Sequence, residues 1–179
     1  FRKVLGGMGH ELARDSDLAV GVFFLPRENT DARAEVQSAA EAIIARRGIT
    51  FIGWREVPVN PDELGAVAQQ TRPEILHLLL ERPGDWNGDH FERQLFLVRR
   101  ELERQFGTLE GFYVPTLSSR LISYKGLAQP ETLRAFYSDL QDSDFQIGLS
   151  LYHQRFSTNT FPAWPLGQPF RMLCHNGEI

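Results

Sequence analysis

Residues Leu18–Leu25 read LAVGVFFL, a short apolar run that a proline closes. The run has no charged residue, and its length and composition predict a buried strand. After it, residues 31–47 place apolar side chains at helical spacing and end on two arginines before Gly48, which is typical of a helix C-terminus. Residues 49–59, ITFIGWREVPV, are rich in β-branched and aromatic side chains and predict the next strand.

The pattern beyond Val59 continues this mixture of strands and helices. The predicted elements are a short helix at residues 60–70, a strand at 73–81, a helix at 90–106, two antiparallel strands within 112–126, a helix at 129–140, and two strands at 147–156 and 169–176. One α+β domain with mostly antiparallel strands accounts for this order better than alternating β-α-β units. Since no repeat or linker divides the chain, we predict a single domain over residues 1–179.

The composition excludes several classes of function. The formal charge is −4 and acidic and basic residues are interleaved, so we expect no nucleic-acid partner and no membrane partner. No run approaches the roughly 18 apolar residues that span a bilayer. Cys174 is the single cysteine, and no Cys/His set has the spacing of a zinc site. We therefore predict a soluble, cytoplasmic protein without a metal site in this segment.

The last six residues contain two candidates for chemistry, Cys174-His175 and Asn176-Gly177. Adjacent side chains of a strand point to opposite faces, so the first pair could act as nucleophile and base only if the backbone broke there, and Cys174 is predicted instead to be a small buried residue. Asn-Gly is the commonest hairpin turn, but a glycine N–H beside a side-chain amide also offers the two donors of an oxyanion hole. Both interpretations of Asn176 and Gly177 remain open from these residues alone.

Arg155 lies in YHQRFSTNT, where a predicted strand runs into four hydroxyl or amide residues. Its guanidinium could hold a substrate carboxylate in a bidentate contact, with Ser157, Thr158 and Asn159 as further donors. A structural ion pair followed by a polar turn explains the same residues equally well. His153, on the same predicted strand face, is better explained as a core histidine than as a base.

Residues 153–179, HQRFSTNTFPAWPLGQPFRMLCHNGEI, together form a specific signature. It resembles the glutaminase domain at the N-terminus of the large subunit of glutamate synthase. The upstream words GVFFLPR, FIGWREVPV, SSRLISYKGL and FYSDL are similar to that family in the same order. More widely, the arrangement is similar to class II glutamine amidotransferases. The resemblance implies an N-terminal-nucleophile αββα fold of two stacked, mostly antiparallel sheets between helices, incomplete at both ends in this α+β chain.

The resemblance also implies a reaction and a set of site residues. In the family, an N-terminal cysteine attacks the glutamine side-chain amide with its free α-amine as base, and water releases glutamate from the thioester. By similarity, Arg155 binds the α-carboxylate of L-glutamine, Thr158 is a neighbouring substrate contact, and Asn176 and Gly177 form the oxyanion hole. Because position 1 is phenylalanine, we expect residues 1–179 to be an interior segment that is inactive on its own.

The rest of the implied function lies outside this segment. The resemblance implies that ammonia reaches a flavin site where 2-oxoglutarate is converted to glutamate, with FMN and an iron–sulfur cluster in other domains of the same large subunit. A small NADPH-oxidising subunit is a further implied partner, and no cofactor site is expected within residues 1–179. Two alternatives remain open: a non-catalytic glutamine-binding or interaction module that retains the pocket, and another class II amidotransferase.

Overall fold

The computed structural model describes residues 1–156 and 159–175. Its strands are β1 (Leu18–Leu25), β2 (Thr50–Glu56), β3 (Glu74–Glu81) and β4 (Tyr113–Ser118). Its helices are α1 (Arg2–Gly7), α2 (Thr30–Arg46), α3 (Ala66–Gln70), α4 (Gly88–Phe106) and α5 (Pro130–Phe136). The strands form one sheet in the order β2-β3-β1-β4, and every neighbouring pair is antiparallel. Of these elements, α1 is the one that the sequence does not predict.

The central strand β1 is covered on both faces, which confirms the buried strand predicted from its apolar run. Since side chains alternate along a strand, Phe23 and Leu25 face one core layer, whereas Val22 and Phe24 face the other. On the first face, α2 and α4 bury their apolar stripes against the sheet. The helix residues buried there are Val36, Ala40, Ile43 and Ile44 of α2 and Phe91, Leu95, Val98, Leu102 and Phe106 of α4.

The two long helices are bounded by side chains and glycines that the sequence supplies. The side-chain oxygen of Asn29 accepts the N–H of Ala32 at 3.0 Å, and that of Asn87 accepts the N–H of His90 at 2.8 Å. Gly48 follows α2 with a φ of 71°, the left-handed conformation that glycine adopts without strain. The two asparagines thus satisfy N–H groups in the first turns of α2 and α4, and Gly48 lets the chain leave α2.

The other face of the sheet is covered by shorter elements. α3, α5 and Trp164 pack there against Val22, Phe24 and Ile75. The described residues therefore form an α+β fold on an antiparallel sheet, and a second sheet of the predicted αββα arrangement is not seen among them. None of the helices in the described part of the chain combines the length and the apolar character needed to cross a membrane.

Residues 119–126 do not form the second strand of the predicted hairpin. β4 ends at Ser118, where the carboxylate of Glu92 on α4 binds the chain. Glu92 accepts the N–H of Ser119 at 2.6 Å and the hydroxyls of Ser118 and Ser119 at 2.8–3.0 Å. These bonds take the place of the turn that a hairpin requires. β4 pairs with β1 instead.

Two predicted helices are each divided in the structure. Residues 60–70 form a 3₁₀ turn at Pro61–Glu63 and then α3, and residues 129–140 form α5 and a 3₁₀ turn at Ser138–Gln141. The carbonyl of Phe136 accepts the N–H of Asn60 at 2.8 Å, and the N–H of Ser138 donates to the carbonyl of Pro58 at 3.1 Å. Backbone groups that would continue α5 therefore bond to the neighbouring segment.

The tail lacks both predicted strands within the described residues. Residues 147–156 contain no strand, and residues 169–175 contain a single bridge between Phe170 and Leu173. Arg171 lies between those two residues with a left-handed φ of 57°, so the chain turns there instead of running extended. A strand needs an edge with which to pair, and the apolar side chains of residues 147–156 are instead largely exposed.

Candidate functional site

Arg155 is the one predicted site residue that the structure describes. It is exposed in an irregular segment, and its backbone N–H donates to Nδ1 of His153 at 3.2 Å. The strand face predicted for these two residues is absent, because His153 bonds to the local backbone. Thr158, Asn176 and Gly177 fall outside the described residues, so their substrate and oxyanion roles stay predictions.

Residues 164–175, here called the anchored segment, lead directly to Asn176. The first residue, Trp164, is buried, and its ring centroid lies 5.9 Å from that of Phe24 and 5.8 Å from that of Phe136. Its indole N–H donates to the carbonyl of Ala68 at 3.2 Å. This aromatic cluster fixes the start of the anchored segment in the second core layer.

Gln168 pairs with the backbone of His175 at the other end of the anchored segment. Its Nε2 donates to the His175 carbonyl and its Oε1 accepts the His175 N–H, both at 2.8 Å. Gln168 is buried, so water competes little for these two bonds. The pair fixes the backbone of the residue that immediately precedes Asn176.

Lys125 contacts the anchored segment from the loop that follows β4. It is 3% exposed, and its Nζ donates to the carbonyl of Pro165 at 2.8 Å. The same atom lies 4.8 Å from the ring centroid of Tyr113 and 4.7 Å from that of Phe170. Burial lowers the pKa of Lys125 to about 8, because the charged form loses its hydration. The two ring faces and the carbonyl provide attraction for this cation.

Glu92 holds the anchored segment from α4. Its Oε2 accepts a hydrogen bond from Nη2 of Arg171 at 3.3 Å, in addition to the bonds from Ser118 and Ser119. A left-handed backbone costs a residue other than glycine roughly 1–2 kcal/mol, so contacts elsewhere must hold Arg171 in place. One carboxylate thus joins the end of β4 to the turn in the anchored segment.

Cys174 is half-buried, and its thiol lies 3.9 Å from the carbonyl of Tyr152. The prediction of a buried strand cysteine is therefore wrong, because the tail forms a turn at this point and does not enter the sheet. The neighbouring His175 has its backbone N–H and carbonyl paired with Gln168.

A partly buried polar network lies on the sheet, where Arg55 of β2 and the fully buried His77 of β3 are direct cross-strand partners. Arg55 donates to the two carboxylate oxygens of Asp139 at 2.6 and 2.7 Å, and its Nη1 lies 3.1 Å from Nδ1 of His77. The hydroxyl of Tyr124 donates to Asp139 at 2.9 Å. The sequence pattern does not predict this network, although a histidine inside the strongly apolar run of β3 is a signal that could have indicated it.

The charges of this network are set by burial and by the arginine. Burial, reinforced by the charge of Arg55, lowers the pKa of His77 to about 3, so the imidazole is neutral. Nδ1 faces the guanidinium and accepts, which places the proton on Nε2, an atom without a hydrogen-bond partner among the described residues. Burial opposes ionisation of Asp139, but hydrogen bonds from Arg55 and Tyr124 hold its pKa below the ordinary value. The network is a fixed ion pair beside a neutral ring.

A sequence model of the family described as glutamine amidotransferases class-II matches residues 1–179. The chain belongs to this family. It is 45% identical over 181 residues to the glutamate synthase (NADPH) large chain of Azospirillum brasilense, a match that covers 100% of this chain and 12% of that one. It is 42% identical over 162 residues to ferredoxin-dependent glutamate synthase 2 of Synechocystis, with 90% and 10% covered. The glutamate synthase (NADPH) large chain of Bacillus subtilis is 44% identical over 161 residues, with 88% and 10% covered.

This class-II glutamine amidotransferase chain spans about a tenth of the length of those relatives. The match confirms the family resemblance that residues 153–179 carry. Across residues 1–156 and 159–175, no three His, Cys, Asp or Glu side chains are grouped so that they could hold a metal ion. An open groove of about 660 Å³ runs beside α3 and the start of α5, but its lining is mainly apolar and does not include Arg155.

Proposed function

We propose that this chain forms part of the glutamine-hydrolysing site of a glutamate synthase. The observation that carries the proposal is the match to class-II glutamine amidotransferases along residues 1–179, with 42–45% identity to glutamate synthases. The words HQRFSTNT and CHNGE lie inside the matched range. Because the relatives are about ten times longer, the reductive half of the reaction is assigned to chain beyond these residues.

The reaction begins with attack of a cysteine thiolate on the side-chain amide of L-glutamine. A carbon–sulfur bond forms while the carbonyl electron pair moves onto oxygen, and collapse of this intermediate expels ammonia. Water then hydrolyses the thioester and releases glutamate. Cys174, the single cysteine of the sequence, is half-buried, and its thiol lies 3.9 Å from the carbonyl of Tyr152. We therefore assign the nucleophile to an N-terminal cysteine outside these 179 residues, with its α-amine as base.

Charge complementarity supports the roles assigned to the site residues. An exposed guanidinium such as that of Arg155 binds a carboxylate in a bidentate contact, and Thr158 supplies a neighbouring hydroxyl. The oxyanion exists only transiently, so neutral donors stabilise it without binding a ground-state anion. The amide of Asn176 and the backbone N–H of Gly177 are donors of that kind. The proposal gives these residues the carboxylate site and the oxyanion hole.

The remaining partners are assigned to the longer protein. Ammonia passes to a flavin site where 2-oxoglutarate and reducing equivalents yield glutamate, with FMN and an iron–sulfur cluster in other domains of the large subunit. Relatives named for NADPH and for ferredoxin are both similar to this chain, so a small NADPH-oxidising subunit is one of two electron sources. We place the enzyme in the cytoplasm and its fold among the N-terminal-nucleophile αββα sandwiches.

The test is ammonia release from glutamine by the full-length protein and its variants. Arg155→Ala should raise KM for glutamine with little effect on kcat, because it removes a contact made equally in the ground and transition states. Asn176→Ala should lower kcat by about 10²-fold or more, as loss of one oxyanion donor does. Arg104→Ala, an exposed arginine in the last turn of α4, is the matched control and should leave both parameters unchanged.

Other outcomes would favour one of the two alternative functions or remove a residue assignment. Glutamine binding by calorimetry without ammonia release would favour the non-catalytic binding module. Ammonia release without glutamate formation from 2-oxoglutarate and a reductant would favour another class II amidotransferase. Unchanged turnover in Asn176→Ala would remove the oxyanion assignment.

A further inference from the structure

Lys125 is an unusual residue in this sequence because the chain uses arginine for almost every cation. Of its 19 basic residues, Lys3 and Lys125 alone are lysines. Lys3 is exposed and forms an ion pair with Asp144. Lys125 is buried, and within residues 1–156 and 159–175 its Nζ contacts a carbonyl and two aromatic rings, with no carboxylate among its partners. Burying a cation is costly, so the contacts that the described residues make with it need an explanation.

The backbone around Lys125 is fixed before its side chain reaches the anchored segment. The hydroxyl of Tyr137, a buried residue, donates to the carbonyl of Lys125 at 2.9 Å. The next residue, Gly126, lies under the Trp164 ring so closely that a Cβ atom there would overlap the ring. A Cβ on Gly167 would lie 3.4 Å from the carbonyl of Gly126. The ammonium therefore extends from a backbone that is held in place by its neighbours.

The contacts of Lys125 suit an ammonium and not a guanidinium. Nζ reaches the Pro165 carbonyl while lying between the faces of Tyr113 and Phe170, less than 5 Å from each centroid. An ammonium is a compact charge with three donors, whereas a guanidinium is a broad planar fork that needs more room and a planar partner. A ring face attracts a desolvated cation strongly. Lys125 therefore ties residues 165 and 170 to β4 in one contact.

We propose that Lys125 is a positioning residue for the oxyanion hole. It holds Pro165 and Phe170 on either side of Gln168, and Gln168 in turn fixes both backbone polar groups of His175, the residue before Asn176. The inference rests on the proposed function in one respect, which is that Asn176 and Gly177 donate to the oxyanion. Oxyanion donors act only when they are preorganised. Loss of this contact should therefore weaken stabilisation of the transition state more than binding of the substrate.

The test compares Lys125→Met with the unmodified full-length protein in steady-state ammonia release. Methionine keeps a stem of similar length and removes the charge. We expect kcat to fall by about tenfold or more, since small misplacements of reacting groups cost up to 10²-fold. KM for glutamine should stay within about twofold, because Arg155 is not held by this contact. Lys3→Met is the matched control and should change neither value.

A second measurement separates positioning from general loss of structure. Glutamate γ-semialdehyde adds the cysteine thiolate to its carbonyl and places an oxyanion where the tetrahedral intermediate has one. Its inhibition constant should rise in Lys125→Met by a factor similar to the loss in kcat. If Lys125→Met does not fold, Phe170→Leu removes one ring from a partly exposed position. In that variant kcat should also fall while KM stays unchanged, but by a smaller factor.

The outcomes distinguish this inference from the proposed function. If the unmodified protein releases no ammonia from glutamine, the proposed function fails before Lys125 is tested. If it is active and kcat stays within twofold in Lys125→Met, or in Phe170→Leu where the first variant does not fold, the positioning role is overturned. The role is also overturned if kcat falls, KM rises and thermal stability drops together while the aldehyde binds as tightly as before.

Discussion

Acidification should destabilise this protein through His77, a histidine with no exposed surface in the middle of β3. Arg55 bonds to its Nδ1, Asp139 lies beyond that guanidinium, and the rings of Phe1 and Tyr124 lie with their centroids 5.5 and 6.0 Å from the imidazole. A proton on Nδ1 would place a second cation against Arg55 without water to solvate it. The folded state therefore keeps the ring neutral.

The size of the effect follows from the difference between the two pKa values. The pKa of His77 is about 3 in the folded state and 6.5 in the unfolded chain. Between these values the unfolded chain binds the proton more tightly, so stability is lost as pH falls through 6.5 and the loss ends near pH 3. Each unit below 6.5 costs about 1.4 kcal/mol, which gives about 2 kcal/mol at pH 5.

Urea unfolding at pH 7 and pH 5 measures this loss directly. Carboxylates such as Asp139 also lose stability in acid, so the comparison is between the unmodified protein and His77→Leu, which cannot titrate at this position. The free energy of unfolding of the unmodified protein should fall by about 2 kcal/mol more than that of the variant between the two pH values. Equal losses in the two proteins would show that His77 is already charged, or hydrated, in the folded state.

Two further substitutions test the contacts around the site. Arg55→Ala removes the counter-charge of the partly buried Asp139, which keeps the Tyr124 hydrogen bond, and should lower the free energy of unfolding by about 2 kcal/mol or more in urea. Arg100→Ala, which removes an exposed helix pair, should change it by less than about 1 kcal/mol. Gly126→Ala overlaps the ring of Trp164 and should cost about 1–3 kcal/mol with a red shift in tryptophan emission, whereas Gly148→Ala meets open space and should leave stability and emission unchanged. A Gly126→Ala protein as stable as the unmodified one would show that the loop and the ring separate readily.

The sequence predicts the elements whose local pattern agrees with their packing. LAVGVFFL and PEILHLLLE are strands because both faces are buried, and residues 90–106 are helical because one apolar stripe meets the sheet. Predictions fail where a side chain distant in sequence forms hydrogen bonds with the backbone. The turn after Ser118 is set by Glu92, which lies 26 residues earlier in the chain, and nothing within residues 112–126 indicates it.

In the candidate site, too, the local motif can be predicted from the sequence, whereas the long-range contacts cannot. A motif such as HNGE is short and local, so a resemblance can assign donors to Asn176 and Gly177 without any knowledge of the fold. The contacts of the anchored segment that precedes them join residues distant in sequence: Lys125 meets Pro165 across 40 residues and Glu92 meets Arg171 across 79. An oxyanion hole stabilises charge only if its donors are already in place, so under the proposed function we expect these distant contacts to affect the rate although they carry no part of the motif. Substitutions at Lys125 and Glu92 are therefore expected to lower kcat in a protein whose motif is intact.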